Sequence, residues 1–196
     1  MTHTQTAQET ADLEHRPEAP VATGRAPRPD IVGGDVPEPP FPIRLQGPVQ
    51  HGFKRGSKDL GFPTANLPDN ALEPITSSAQ TGIYFGYAQI APRAGESNTL
   101  RDEDYKVFPM VMSLGFNPYY QNKTLTAEVH ILHDYPCDFY GHDIRTIVLG
   151  YIRPELNYIS REALIEDIRT DIRVGLKSLD RPAYSALAND DLFLKA

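Results

Sequence analysis

Thr64 and Asn66 are two polar residues with alternate spacing in the stretch GFPTANLP, residues 61–68. Pro63 fixes its own φ at about −65° and favours an extended residue before it, so an extended continuation would place both side chains on one side. Their hydroxyl and amide oxygens are hard, neutral ligands that suit Mg²⁺ but need anionic help, such as the phosphates of a nucleotide. The alternative is an Asx or ST turn in which both side chains bind nearby backbone groups, and the tetrapeptide alone favours that turn.

The glycine-rich basic segment GFKRGSK, residues 52–58, is a second candidate for contact with phosphate. Glycine lets the backbone approach an anion closely, and two lysines and an arginine add positive charge. The segment is not a Walker loop, because three rather than four residues separate Gly52 from Gly56 and the serine precedes Lys58. A flexible surface turn would have the same composition, so this pattern alone is weak.

The stretch TLTAEVHIL, residues 124–132, places a carboxylate within a strand pattern. Glu128 falls between alternate apolar positions, so it projects from the opposite face of the strand. A carboxylate there could accept the proton of a substrate hydroxyl, and the alternative is an ordinary exposed strand residue. The apolar row consists of Leu125, Ala127, Val129 and Ile131.

Two histidines and a cysteine nearby give weaker signals. His130 and His133 are three residues apart, and on a strand such residues face opposite ways, so we do not expect them to share a metal ion. Cys137 has no histidine partner in a nucleophile signature. Neither a histidine metal site nor thiol chemistry is therefore predicted.

Short strands separated by turns must position these residues. At least five strand patterns at hairpin-scale spacing predict a closed or nearly closed antiparallel barrel, which leaves no unpaired sheet edge. The polar segment 91–106 is predicted to be a solvated hairpin loop without a role. The strand patterns lie in residues 43–52, 82–90, 107–118, 124–132 and 144–152.

One amphipathic helix is predicted near the C-terminus. Ser160 is a suitable N-cap, Glu162 lies in the first turn, and the pair Arg181-Pro182 ends the helix. Its apolar stripe is expected to pack on the barrel and to take no part in chemistry. The stripe consists of Leu164, Ile168, Ile172 and Leu176, widened by Ile165 and Leu179.

Residues 1–40 differ in composition from the rest of the chain. They hold seven of the 18 prolines and seven acidic residues against three arginines, with no aromatic residue. Such a segment buries too little apolar surface to offset the entropy of ordering it. We predict a disordered proline-rich N-terminal tail over 1–40 and one domain over 41–196, and deletion of residues 1–38 should leave turnover intact.

Charge and cysteine content limit the function classes. The net charge of −7 argues against nucleic acid as a partner, because binding to a phosphate backbone needs clustered Lys and Arg. No apolar run approaches the length of roughly 20 residues that spans a bilayer, and the N-terminus lacks the pattern of a signal peptide. With a single cysteine, these features predict an intracellular, cytoplasmic protein.

Several motifs together resemble the riboflavin kinase (flavokinase) family. In chain order they are RGSKDLGFPTANLP, TGIYFGYAQI, MVMSLGFNPYY, TAEVHIL, DFYGHDIR and LGYIRPELNYIS. The resemblance runs from about Gly47 to the C-terminal helix, roughly three quarters of the chain. The resemblance implies a mainly β fold, a six-stranded antiparallel Greek-key barrel with a C-terminal helix. It also implies transfer of the ATP γ-phosphate to the ribityl 5′-hydroxyl of riboflavin, which gives FMN and ADP. Because residues 1–40 could not form the adenylyltransferase domain of bacterial relatives, the monofunctional eukaryotic type is expected.

The resemblance also suggests site residues. Thr64 and Asn66 would ligate Mg²⁺, with Zn²⁺ as the alternative metal, beside the phosphates of ATP, and Glu128 would be the catalytic base. Gly52 and Lys58 would belong to the loop that covers the nucleotide.

Two further residues are implied at the flavin. Arg153 would belong to a mobile loop near the flavin and the phosphate, where a guanidinium could stabilise the transferring charge. Tyr140 would pack either against a ring of a ligand or in the core.

Two other functions stay open on the sequence alone. A flavin- or nucleotide-binding barrel without turnover would keep the PTAN motif but would not need Glu128. A kinase of the same fold could act on another alcohol or use another nucleoside triphosphate. We expect riboflavin and ATP as ligands and a monomer as the functional unit.

Overall fold

Six antiparallel strands and a C-terminal helix form the framework of the computed structural model, which describes residues 28–51, 60–91, 100–116 and 125–194. The strands are β1 Ile43–Pro48, β2 Ala65–Asn66, β3 Gly82–Ile90, β4 Phe108–Phe116, β5 Leu125–Ile131 and β6 Asp143–Arg153. The α-helices are α1 Glu73–Thr76, α2 Arg161–Leu179, α3 Pro182–Ser185 and α4 Asp191–Leu194. Single 3₁₀ turns occupy Asp69–Leu72, Asp102–Tyr105 and Ala186–Asn189. Across the described ranges, no helix has both the length and the apolar character needed to cross a membrane.

The strands form one sheet in the order β1-β6-β3-β4-β5-β2. Strands β3, β4 and β5 are consecutive neighbours and β6 returns beside β3, which is the Greek-key arrangement. The sheet curls into a half-barrel, and an isolated bridge joins its two sides where the Gln50 N–H donates to the Asn66 carbonyl at 2.9 Å. The predicted mainly β, six-stranded fold with a C-terminal helix is confirmed.

The concave side of the sheet holds the larger core. Met112 and Leu114 of β4 and Ala127 and Val129 of β5 have no solvent exposure, as the alternating pattern predicts. Since strand residues alternate between faces, Glu128 and its neighbours two residues away lie on the convex side. The core therefore fixes which side of β5 carries the candidate base.

The helix α2 has the predicted bounds but a different buried face. The Ser160 hydroxyl caps it by accepting from the Ala163 N–H at 3.2 Å. Gly175 lets the helix lie close to the sheet, because a methyl group there would be only 3.2 Å from the Phe85 Cβ. Leu176, predicted in the apolar stripe, is 43% exposed. Leu179 of the predicted stripe is buried, and the other buried residues of the helix are Asp171, Val174, Gly175 and Ser178.

The described part of the predicted tail lies along α2. Asp30 accepts from Lys177 Nζ at 2.7 Å, and the Val32 N–H donates to the Ser178 hydroxyl at 3.0 Å. Arg181 donates to the carbonyls of Val32 and Gly33 at 2.7 and 3.0 Å. Residues 28–34, which we call the N-terminal strap, are thus attached to the domain, contrary to the expectation of disorder there. Residues 1–27 lie outside the described residues, and the division of the chain at residue 40 remains a prediction.

Candidate active site

A cavity of about 1020 Å³ opens along β4 and β5. Strand β2, which contains part of the PTAN motif, borders it on one side of β5, and the start of α2 borders it beyond β4. Residues 134–140 and the segment 153–158 contribute much of the remaining lining. Of the residues proposed from the sequence, Thr64, Asn66, Glu128, Tyr140 and Arg153 all line this cavity.

The PTAN motif pairs directly with the strand that carries Glu128. Ala65 lies opposite Val129 and Asn66 lies opposite Glu128 in the antiparallel ladder. The Thr64 hydroxyl donates to Glu128 Oε2 at 3.5 Å. The extended conformation inferred from Pro63 is therefore observed, and it brings a hydroxyl, an amide and a carboxylate together.

A second contact holds this motif against β5. His130 Nδ1 donates to the carbonyl oxygen of Pro63 at 2.8 Å, and its ring packs edge-on against Phe62. Burial lowers the pKa of His130, although the bond to the Pro63 carbonyl acts in the opposite direction. A neutral imidazole is thus favoured, which can donate this bond without adding charge to the site.

Arg153 lies in a buried ion-pair network rather than on a surface loop. Its Nε donates to Asp171 Oδ1 at 3.0 Å and its Nη2 donates to Oδ2 at 2.7 Å. Arg28 Nη1 donates to the same Asp171 Oδ1 at 2.7 Å, and Arg28 Nη2 also donates to Asp167. Tyr158 completes the network by donating its hydroxyl to Asp167 Oδ2 at 2.9 Å.

Glu155 brings a second carboxylate to the cavity. It lies so close to Gly115 of β4 that any side chain at that position would overlap its carboxyl oxygens. Burial raises the pKa of Glu155, Arg153 opposes that rise, and the negative charge of Glu128 adds to it. Gly115 shares a face of β4 with Ser113, which lies opposite Glu128, so Glu155 lies on the convex side of the sheet and lines the same cavity as the candidate base.

The region around residues 134–140 is rich in rings. Tyr140 stacks on His51, with the ring centroids 3.7 Å apart, and it is 44% exposed. His133 stacks on Phe108 at 4.0 Å, and its Nε2 contacts Asp104 Oδ1 at 2.7 Å. These flat surfaces can pack against a planar ligand.

The two histidines do not face opposite ways, contrary to what the alternation of side chains on a strand had predicted. Both His130 and His133 line the cavity, because β5 ends at Ile131 and His133 lies beyond the alternating strand. They have separate partners, the Pro63 carbonyl and the Asp104 carboxylate. Within the described ranges, no three His, Cys, Asp or Glu side chains cluster as a metal site.

The loop predicted to be solvated between residues 91 and 106 supports this wall of the cavity. Leu100 is 6% exposed and Asp104 is fully buried. Hydrogen bonds from Arg101, opposed by desolvation and reinforced by His133, hold the pKa of Asp104 well below its usual range. The loop is therefore not a mere insertion. Residues 92–99 lie outside the described residues.

The remaining site predictions cannot be placed. Gly52 and Lys58, predicted to contact the nucleotide, lie outside the described residues. Leu60, just beyond them in the chain, lines the cavity. The first described residue after this gap therefore lies at the edge of the site.

Similarity to known proteins identifies the family. Residues 39–179 match the family model described as riboflavin kinase (flavokinase). The chain belongs to the riboflavin kinase family. It is 52% identical over 162 residues to a riboflavin kinase of Pyricularia oryzae, with 80% of this chain and 81% of that protein covered. A riboflavin kinase of Scheffersomyces stipitis is 47% identical over 173 residues, with 80% and 96% covered.

A solved structure agrees with this assignment. The crystal structure of riboflavin kinase from Trypanosoma brucei matches with a TM-score of 0.61 at 29% identity. The match covers 79% of this chain and 90% of that chain. The resemblance inferred from the sequence motifs is thus confirmed for both family and fold.

Sequence reasoning missed the residues that support the riboflavin kinase motifs. No role was predicted for Asp171, because the helix that contains it was assigned to packing on the barrel. Arg28 was assigned to the disordered tail. One signal was available, because Asp167 and Asp171 are four residues apart and so share a helix face. That spacing predicts a site for basic partners, but it does not indicate which ones.

Proposed function

We propose that this chain transfers the γ-phosphoryl group of ATP to the ribityl 5′-hydroxyl of riboflavin, giving FMN and ADP. The observation that carries the proposal is the grouping of Glu128 with Thr64 and Asn66 at one cavity in a chain of the riboflavin kinase family. Phosphoryl transfer needs positioning, charge neutralisation and one proton acceptor, and this group of side chains offers all three.

Glu128 is the proposed general base. Its carboxylate accepts the proton of the riboflavin 5′-hydroxyl as that oxygen forms a bond to the γ-phosphorus. The bond from the γ-phosphorus to the β,γ-bridging oxygen breaks, and ADP leaves with that electron pair. The Thr64 hydroxyl, 3.5 Å from Glu128 Oε2, helps to hold the carboxylate in place.

The PTAN oxygens fit a divalent metal that arrives with the nucleotide. A hydroxyl oxygen from Thr64 and an amide oxygen from Asn66 are hard ligands, and they suit Mg²⁺ better than Zn²⁺, which prefers nitrogen and sulfur. When bound, the ion would neutralise charge on the phosphates. The small number of protein ligands is consistent with weak metal binding in the absence of ATP.

Riboflavin is assigned to the side of the cavity that Arg153, Glu155 and Tyr158 line. Arg153 contributes positive charge from this wall, partly balanced by its ion pair with Asp171. ATP is assigned to the side with the PTAN motif, where Gly52 and Lys58 remain predicted contacts. Tyr140 remains a predicted ring contact of the flavin. A monomeric, cytoplasmic enzyme is proposed on the composition of the chain.

The test is chromatography of the flavins after purified protein is incubated with riboflavin, ATP and Mg²⁺. We expect FMN from the wild type and almost none from Glu128→Gln. Quenching of riboflavin fluorescence without FMN would support a binding protein instead. FMN formed better with another nucleoside triphosphate, or phosphorylation of another alcohol, would change the substrate assignment.

A further inference from the structure

The ion-pair network beside the cavity contains one member from far away in the chain. Arg28 belongs to the N-terminal strap, whereas its partners Asp167 and Asp171 lie on α2, 139 and 143 residues later. The two carboxylates are one helical turn apart, and the two Nη atoms of Arg28 each contact one of them. A guanidinium fork is suited to bridging two such groups.

Each carboxylate that Arg28 contacts also holds a residue of the cavity wall. Asp171 binds Arg153, and Asp167 accepts the hydroxyl bond of Tyr158. Both Arg153 and Tyr158 line the cavity, whereas Arg28 does not. Arg28 is thus one contact removed from the site, and it can act only through the two acids.

The charges explain why the second arginine matters. Asp171 is 2% exposed, and this burial raises the pKa of its carboxyl group. The hydrogen bonds and charge of Arg153 oppose that rise, and the charge of Arg28 opposes it further. Arg153 alone would face two carboxylates four residues apart on α2. With Arg28 present, the four side chains carry balanced formal charge, two positive and two negative. Tyr158 can then donate to a carboxylate whose position is fixed.

We propose that Arg28 is a positioning residue for riboflavin binding, holding Asp167 and Asp171 so that Tyr158 and Arg153 keep the cavity wall in its binding shape. The inference rests on the proposed placement of riboflavin at this wall. The strap then has a role in substrate binding, although it lies outside the cavity.

The test is steady-state kinetics of FMN formation by the full chain carrying Arg28→Ala. We expect the KM for riboflavin to rise about tenfold, the scale of a lost hydrogen bond to a charged group, while the KM for ATP changes less than about twofold. Arg28→Lys keeps the charge but cannot bridge both acids as a planar fork, so it should give an intermediate KM. If the alanine variant does not fold, the lysine variant still provides the test.

Two comparisons separate positioning from general stability. Lys177→Ala removes the exposed ion pair that α2 makes with Asp30 of the strap, and it should leave both KM values unchanged. In a double-mutant cycle, Arg28→Ala should raise the riboflavin KM less in the Asp167→Ala background than in the wild type, because the part of its effect that reaches Tyr158 passes through that carboxylate.

Three results would overturn the proposal. They are a lower melting temperature without a change in the riboflavin KM, a rise confined to the KM for ATP, and fully additive effects in the cycle. Failure of the proposed function would be a different result, because the wild type would then form no FMN.

Discussion

At the scale of single residues, the site depends on the two-residue period of β-strands. Alternate positions of β5 fill the core, so Glu128 must lie on the convex side. There it is in register with Asn66 of β2 and Ser113 of β4. A shift of one residue in either pairing would move the proposed base away from the proposed metal ligands, because every side chain on the strand would change faces.

The first prediction at this scale concerns the base. Glu128→Gln keeps the size of the side chain but removes its ability to accept a proton, so kcat should fall by about 10² or more. Riboflavin binding, measured by fluorescence quenching, should persist. The control is Glu73→Gln, which alters an exposed glutamate outside the cavity lining and should leave kcat unchanged. A near-normal kcat for Glu128→Gln would remove this residue from the mechanism.

The second prediction concerns the metal ligand. Thr64→Ala removes a hydroxyl oxygen, so the KM for Mg-ATP should rise more than the KM for riboflavin. Thr64→Ser keeps the hydroxyl and should retain most of the affinity. Titration of the Mg²⁺ requirement at fixed ATP provides the measurement. An effect confined to riboflavin would contradict the assignment of Thr64 to the metal.

Sequence reasoning at the residue scale succeeded where local rules apply. The alternation around Glu128 and the extended backbone near Pro63 are properties of adjacent residues, and the structure has both. The meeting of Thr64 and Asn66 with Glu128 depends instead on the pairing of β2 with β5, and only the family resemblance suggested a shared site. The pairing of Arg28 with Asp171 depends on how the strap crosses the helix, and no local pattern encodes it. The alternation rule assigned His133 to the face opposite His130, but β5 ends at Ile131, so the rule does not reach His133 and both residues line the cavity.

At the scale of elements, the end of β4 and the segment after β6 meet at Gly115. The absence of a side chain there lets Glu155 reach the sheet. Gly115→Ala should push the Glu155 carboxylate away, which is a small cost in stability because the far end of a flexible side chain moves. We expect a melting temperature close to that of the wild type but a higher KM for riboflavin. A lower melting temperature with unchanged kinetics would show that only packing was affected.

The short turn at residues 102–105 provides a prediction of pH dependence. Hydrogen bonds from Arg101 lower the folded-state pKa of Asp104, so the ionised carboxylate stabilises the fold at pH values above its unfolded pKa of about 3.9. This contribution is lost as the pH falls from there towards the lower folded value. Asp104→Asn should therefore reduce the urea midpoint at pH 7, and the difference should shrink at pH 3. An equal difference at both pH values would exclude the charge as its cause.

The helix α2 shows what amphipathic patterns can and cannot specify. Its start, its end and its N-cap were predicted from Ser160 and Pro182, since these are local signals. Apart from Leu179, the buried face of the helix was not predicted from the apolar residues. That face is determined by the close approach of the helix to the sheet at Gly175 and by the ion pairs of Asp171. Leu164 and Ile168 belong to the predicted stripe, and both line the cavity.

At the scale of the whole molecule, the helix and the strap form a layer on the convex side of the sheet. A second apolar cluster, separate from the core inside the half-barrel, includes Phe85 of β3, Leu149 of β6 and Leu179 and Tyr184 from the C-terminal helices. The strap crosses this layer, and the Tyr184 hydroxyl donates to the Gly34 carbonyl at 3.1 Å. Composition could not reveal this attachment, because polar hydrogen bonds rather than apolar burial hold most of the strap.

The attachment changes the expected result of truncating the chain. Deletion of residues 1–27 keeps every strap contact described above, so kcat, both KM values and the melting temperature should match those of the full chain. Deletion of residues 1–40 removes several hydrogen bonds to α2 and Arg181, each contributing about 1 kcal/mol. For a chain of this size, that loss should lower the melting temperature by roughly 5 to 10 °C.

The shorter protein also lacks Arg28, so its KM for riboflavin should exceed that of the Δ1–27 protein even at temperatures well below unfolding. Thermal unfolding and kinetics on the matched pair of truncations provide both measurements. Equal behaviour of the two proteins would mean that the strap contributes neither stability nor substrate affinity. The predicted tail would then be dispensable over its whole length, including the residues that contact α2.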